Sequence, residues 1–316
     1  MAPRMSCRYR ITSPVLLRHL RLYSTDQVGP LIRVTNIDQQ STGHIRLLEL
    51  NRPSSRNAIS RRLLADLRTE IDSIQLQYNA EGDEVSAGLP HTNPTRALVL
   101  ASTSNHSFCA GADLRERRNF TPEETADFLA NLRDTFAALA ALPVPTISAV
   151  SAYALGGGLE LALCTHFRVL ASTAIVGLPE TRLGIIPGAG GTYRLPALIG
   201  VSRARDLILT GRQVSAPEAY FLGIADRLVE VLPDPKDEDN TMLPSRARQQ
   251  VLAEAVRLAT EICDGGPVAI RAGLQAVGWA REDVENAMYE RVVKTEDRNE
   301  ALEAFKEKRK PNFKGR

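Results

Sequence analysis

The chain is expected to fold as an α/β core followed by a helical tail. Short apolar strand patterns alternate with amphipathic helical ones from Leu31 to Val231. Beyond an acidic, proline-bearing stretch, Pro233 to Pro244, only helical periodicity remains. Strands interleaved with helices imply parallel pairing through crossover connections. At 316 residues the chain can bury a sizeable core, and its 43% apolar and 24% charged composition is that of a soluble globular protein.

Leu31 to Ile37 and His44 to Leu50 read as two strands joined by a turn around Ser41, Thr42 and Gly43. A helix is predicted from Ser60 to Tyr78, then a polar loop rich in Gly, Pro and acids from Asn79 to Pro94. Arg96 to Ala101 is a buried strand pattern, with a loop from Ser102 to Gly111 leaving its end. Thr121-Pro122-Glu123-Glu124 has the form of a capping box with proline at the first helical position, opening a helix that reaches Leu139. Pro145 to Val150 returns as a strand, Gly156 to Cys164 as a helix, and His166 to Ala171 as a strand. Helices follow at Thr192 to Leu198 and Arg203 to Leu209. A third is capped by Ser215 and stops at Gly223, ahead of a last strand, Asp226 to Val231. The tail is read as helices at Arg246 to Cys263, Pro267 to Val277, Arg281 to Asn299 and Ala301 to Arg309. The organisation is thus a leader (1–25), an α/β core (26–232), a linker (233–245) and a helical region (246–316).

The leader carries Arg4, Arg8, Arg10, Arg18 and Arg21, several hydroxyl residues and no acid before Asp26. That composition reads as a mitochondrial transit peptide, and the mature chain is expected to begin near Ser24 in the matrix. Loss of those arginines from a total of 39 basic residues leaves the 37 acidic residues in slight excess. General attraction to nucleic acid is then not expected. The four cysteines, Cys7, Cys109, Cys164 and Cys263, are sparse and irregularly spaced, which favours reduced thiols. No Cys-x-x-Cys pair or His/Cys cluster is present, so no metal site is expected, and no apolar run is long enough for a membrane helix.

Glu160 and Glu180 each follow a loop of unusual composition. Glu160 sits in GGGLELALC (Gly156 to Cys164) and Glu180 in GLPETRLGIIPGAGGT (Gly177 to Thr192). A triple glycine opening a helix lets backbone N–H groups approach a ligand oxygen with no side chain in the way. Glu160 falls in the first turn of that helix and Glu180 arrives from a separate segment, a pairing suited to acid/base chemistry. Taken singly, each admits a plainer role, Glu160 as a helix-capping acid and Glu180 as a surface loop acid.

Three segments in order, SFCAGADLRE (Ser107 to Glu116), PVPTISAVSAYALGGGLELAL (Pro143 to Leu163) and GLPETRLGIIPGAGGTYRLP (Gly177 to Pro196), resemble the enoyl-CoA hydratase/isomerase (crotonase) superfamily. The resemblance runs from Leu31 to Arg316. It implies a spiral of repeated β-β-α turns and C-terminal helices that mediate trimers, often paired into hexamers. It also implies an acyl-CoA substrate and no separate cofactor, coenzyme A being part of the substrate. The backbone N–H groups of Ala110 and Gly157 would form an oxyanion hole for the thioester oxygen. Glu160 and Glu180 would hold one water between them, Glu160 taking its proton and Glu180 supplying the proton at C2. Arg56 and Lys308 stand where family members place basic residues near CoA phosphates, the latter from a neighbouring subunit. As residues, they are equally well read as solvated charges. Asp113 is read as a structural hydrogen-bonding residue.

Within the family, TEDRNEALEAFKEKRKPNFKG (Thr295 to Gly315) and SFCAGADLRER (Ser107 to Arg117) are most similar to the branch that hydrates 3-methylglutaconyl-CoA in leucine breakdown. Short-chain enoyl-CoA hydration is the alternative. That branch is also known for AU-rich RNA binding through a lysine-rich helix corresponding to Ser60 to Tyr78. Here Arg61, Arg62 and Arg68 are offset by Asp66, Glu70 and Asp72, and RNA is not the expected partner. The chain departs from the family pattern in placing Ala152 for a glycine and His166 for an aspartate.

Overall fold

The computed structural model describes residues 29–39, 42–85, 93–237 and 239–316. The expected leader, the tip of the first hairpin and the middle of the 79–94 loop lie outside these residues. β1 (Ile32–Asp38) and β2 (His44–Leu50) form an antiparallel pair. The Ser60 hydroxyl accepts the Leu63 N–H at 3.2 Å and opens α1 (Arg61–Gln75). β3 (Thr95–Ser102) is followed directly by β4 (Ser107–Cys109), α2 (Leu114–Arg117) and α3 (Pro122–Ala140), the last with the predicted capping box between Thr121 and Glu124. Next come β5 (Thr146–Val150), β6 (Tyr153–Leu155), α4 (Gly157–Ala162), β7 (Phe167–Ala171) and β8 (Ile175–Gly177). The core ends with α5 (Gly191–Ile199), α6 (Val201–Thr210), β9 (Gln213–Ser215), α7 (Ala216–Leu222) and β10 (Arg227–Val229). Four helices close the chain: α8 (Leu243–Cys263), α9 (Pro267–Trp279), α10 (Glu282–Val293) and α11 (Glu296–Glu307). Among the described residues no helix is long and apolar enough to cross a membrane.

The strands form two sheets. A six-stranded sheet runs β1-β2-β3-β5-β7-β10, parallel from β2 onward, and a four-stranded sheet runs β4-β6-β8-β9. Each parallel strand of the small sheet follows a strand of the large one, so β3-β4, β5-β6 and β7-β8 are successive turns of a β-β-α spiral. Three-residue strands show no period, which is why sequence reading takes 102–111 as a loop and assigns nothing to 151–155. Registers such as Leu155 opposite Gly177 bring the ends of β4, β6 and β8 together, so the loops leaving them converge on one place.

Both faces of the large sheet are covered, as a mostly parallel sheet requires. Leu98 and Leu100 of β3 share a core with Leu67 and Ile71 of α1 and Leu132 and Phe136 of α3. The alternate residues Val99 and Ala101 join Ala255, Leu258 and Ala259 of α8. The expected helix from Arg281 to Asn299 is in fact interrupted: the Thr295 hydroxyl accepts the Arg298 N–H at 3.1 Å, and Glu296 and Asp297 fill the first turn of a new helix. This cap overrides a charge pattern that runs through it unbroken. His166 is tied to Thr146, whose N–H donates to Nδ1 at 3.1 Å, while burial pushes the imidazole pKa down to about 4.

Candidate active site

The loops leaving β4, β6 and β8 meet at a cleft of about 920 Å³, walled on one side by α3 and on another by the segment from Ile185 to Gly190. Glu160 and Glu180 both line it, and both are buried. Glu160 stands in the first turn of α4, and its Oε1 accepts the Ala189 N–H at 2.8 Å and the Gly191 N–H at 2.9 Å. Burial raises its pKa, while those two amides and the charges of Arg194 and Arg133 act to keep it ionised. Glu180 opens a single 3₁₀ turn (Glu180–Leu183), and its Oε2 has no hydrogen-bond partner among the described residues. Burial, with the charge of Glu160 adding to it, pushes its pKa up to about 7. Oε1 of Glu160 is fixed as an acceptor by two amides, and Glu180 is poised to carry a proton at neutral pH.

The three glycines before Glu160 do three different things. Gly156 takes φ +55, and a Cβ there would lie 3.0 Å from Glu180 Oε1, so a side chain would push into the second glutamate. A Cβ on Gly158 would lie 2.0 Å from the carbonyl oxygen of Cys109, so this glycine lets α4 dock on β4. Gly157 meets its surroundings at ordinary contact distances, begins α4 and lines the cleft.

The expected partner of Gly157 in an oxyanion hole, Ala110, requires correction. Its N–H donates to the Arg56 carbonyl at 3.1 Å and is engaged. The Ala112 amide is the alternative donor that the geometry offers. Ile59 receives the Asp113 N–H at 3.0 Å and donates its own to the Gly111 carbonyl at 2.8 Å, so alternation turns the Ala112 amide the other way. A Cβ on Gly157 would lie 3.6 Å from that Ala112 nitrogen, so the two residues are neighbours at the cleft. The loop is pinned by Asp113, whose Oδ1 accepts the Arg115 and Glu116 N–H groups at 3.0 and 3.2 Å and whose Oδ2 accepts from Arg52 at 2.6 Å. Burial works against its ionisation, yet these donors hold its pKa below the usual range.

A second cleft, of about 1070 Å³, shares Ala110, Ala112 and Leu114 with the first and is rich in arginine, with Arg52, Arg56, Arg61, Arg62 and Arg115 on its walls. Arg56 is exposed there, in the left-handed conformation at φ 52. Lys308 is exposed at the C-terminal end of α11 and lines neither cleft within one chain. Three features escape sequence reading. The amides of Ala189 and Gly191 that hold Glu160 were signalled only by the glycines of Pro187 to Gly191, and Ala112 by nothing local. Arg133 of α3 lines the cleft and donates Nε to the Gly188 carbonyl at 2.8 Å.

Comparison with known proteins agrees with this geometry. Residues 40–316 match the family described as enoyl-CoA hydratase/isomerase. A protein of Pyricularia oryzae named methylglutaconyl-CoA hydratase 1, mitochondrial, is 65% identical over 94% of this chain and 90% of its own length. The mouse methylglutaconyl-CoA hydratase, mitochondrial, is 36% identical over 90% of this chain and 83% of its own. Among solved structures, the enoyl-CoA hydratase of Bacillus anthracis superposes with a TM-score of 0.76 at 36% identity, covering 90% of this chain and all of that one, 100%.

Proposed function

The chain belongs to the enoyl-CoA hydratase/isomerase family, and from that premise we propose that it is a mitochondrial hydratase converting 3-methylglutaconyl-CoA to 3-hydroxy-3-methylglutaryl-CoA. The observation that carries the reaction type is the unequal glutamate pair in one cleft, an amide-held Glu160 facing a proton-bearing Glu180. The substrate and the compartment are supported by the names of the 65% and 36% identical relatives.

The thioester carbonyl sits on the N–H groups of Ala112 and Gly157. A water held between the glutamates loses a proton to Glu160 as its oxygen bonds to C3. The C2–C3 π electrons move toward the carbonyl, and the enolate oxygen takes the charge. One oxyanion donor contributes roughly 2.7–4 kcal/mol where such donors have been removed from hydrolases. Gly157 begins α4, so the partial positive charge of the helix terminus adds to the effect. Glu180 then gives its proton to C2 and the double bond is consumed. Reversal is dehydration. Coenzyme A is carried by the substrate, no separate cofactor is needed for these steps, and its phosphates lie along the arginine-rich second cleft beside Arg56.

The C-terminal helices leave Val277, Trp279, Tyr289, Leu302 and Phe305 exposed, which supports assembly as a trimer or hexamer, with Lys308 reaching CoA across subunits. α1 favours no nucleic-acid role: Arg68 pairs with Asp72 at 2.7 Å, and Arg61 pairs with Glu124 at 3.2 Å and stacks on Phe120. Steady-state hydration of 3-methylglutaconyl-CoA and crotonyl-CoA tests the reading. A kcat/KM at least about tenfold higher for crotonyl-CoA, roughly 1.4 kcal/mol in transition-state binding, would make this a short-chain enoyl-CoA hydratase instead.

A further inference from the structure

We propose that Arg133 binds a carboxylate on the acyl chain of the substrate and thereby sets a preference for dicarboxylic acyl-CoA esters. The inference rests on the acyl-CoA hydratase reading and assigns a specificity residue within that same cleft.

Leu129, Leu132, Arg133 and Ala137 of α3 all line the cleft. Their spacing makes them one helical face, on which an arginine stands among apolar residues, with Asp134 beside it. The guanidinium is also positioned: Nε donates to the Gly188 carbonyl at 2.8 Å, in the same segment whose Ala189 and Gly191 amides hold Glu160. Its charge also acts at Glu160, the base that would take the proton from the water adding to C3. In 3-methylglutaconyl-CoA the second carboxylate is two bonds from that carbon. Among the described residues Arg133 makes no ion pair, and Asp134, which lines the cleft beside it, does not pair with it either. Its two Nη groups are therefore available to a ligand, and a guanidinium fork matches a carboxylate bidentately.

Rival arginines fit less well. Arg194 donates Nη1 to the Ala189 carbonyl at 3.0 Å, stacks on Tyr193 at 4.8 Å and does not line the cleft. Arg118 lines neither cleft. Arg117 lines the cleft from α2, but no hydrogen bond anchors its side chain among the described residues.

The test compares wild type, Arg133→Gln, Arg133→Lys and Arg117→Gln. Two ratios are read: kcat/KM for 3-methylglutaconyl-CoA over crotonyl-CoA, and calorimetric affinity for glutaryl-CoA over butyryl-CoA. In Arg133→Gln both ratios are expected to fall roughly 10- to 100-fold, the range for a hydrogen bond to a charged group. Arg133→Lys keeps a point charge and should retain part of each. Arg117→Gln should leave both ratios within about threefold, well under the single-contact range. The affinity ratio separates recognition from a structural role, which would weaken both ligands alike. A wild-type preference that survives in Arg133→Gln, or collapses in Arg117→Gln instead, overturns the Arg133 assignment alone. A wild type that hydrates crotonyl-CoA yet shows no dicarboxylic preference overturns both this and the substrate reading.

Discussion

Glu160 Oε1 lies 2.9 Å from the amide nitrogen of Gly191, a bond that orients the carboxylate toward the cleft and favours its charged form. Glu180, across the same space, has a buried oxygen with no partner among the described residues. Replacing either glutamate by glutamine therefore removes a different half of the proton inventory. Each of Glu160→Gln and Glu180→Gln should lower kcat by roughly 10²–10⁴-fold, the usual size of one acid/base contribution. Affinity for a saturated acyl-CoA should change little. Near-wild-type turnover in either variant would remove that residue from the mechanism.

The raised pKa of Glu180, about 7, sets a pH dependence whose sign follows from its role. Hydration needs Glu180 protonated, so kcat/KM in that direction should fall as pH rises through this value, while dehydration needs it ionised and should rise. The same shift bears on stability. An acid whose pKa is higher folded than unfolded destabilises the fold as pH climbs from its ordinary value of 4.5 toward 7. Glu180→Gln should accordingly have a higher Tm than wild type at pH 8 and lose that advantage at pH 4. Equal differences at both values would contradict a buried, proton-carrying Glu180.

Gly157→Pro tests the pairing of its amide with that of Ala112. Proline is tolerated at the first position of a helix, where no intrahelical donor is lost, but it has no N–H. A folded variant should lose roughly two to three orders of magnitude in kcat, the cost of one oxyanion donor. Full activity in a folded Gly157→Pro protein would rule out the assignment.

Gly158→Ala addresses packing instead of chemistry. Its methyl group would fall 2.0 Å from the Cys109 carbonyl oxygen, backbone that cannot swing aside. Overpacking of this kind costs typically about 1–3 kcal/mol. A clear drop in the denaturation midpoint is expected, and an unchanged midpoint would mean that α4 and β4 are less closely docked than the structure has them.

Much of this protein is written locally. Helix starts at Ser60 and Thr121 follow from side chains that satisfy amides within three residues, and the position of Glu160 in a helical first turn follows from the glycines before it. The alternation of strand and helix likewise needs only neighbours in the chain. Thr295 carries an equally local cap, hidden among charges that suit a helix on either side. What tertiary structure alone decided depends on segments distant in sequence. The small sheet exists because three-residue strands pair with one another and with nothing nearby. Ala110 is unavailable as a donor because the Arg56 carbonyl reaches it, whereas Ile59 pairs with Gly111 and Asp113 on either side of Ala112 and leaves that amide pointing the other way. Arg133 reads in sequence as one more charge on an amphipathic helix, and only the docking of α3 against the Gly188 carbonyl turns it toward the cleft. Which amide is spent and which charge faces a ligand are set by what burial removes from water, and that is a property of the assembled fold.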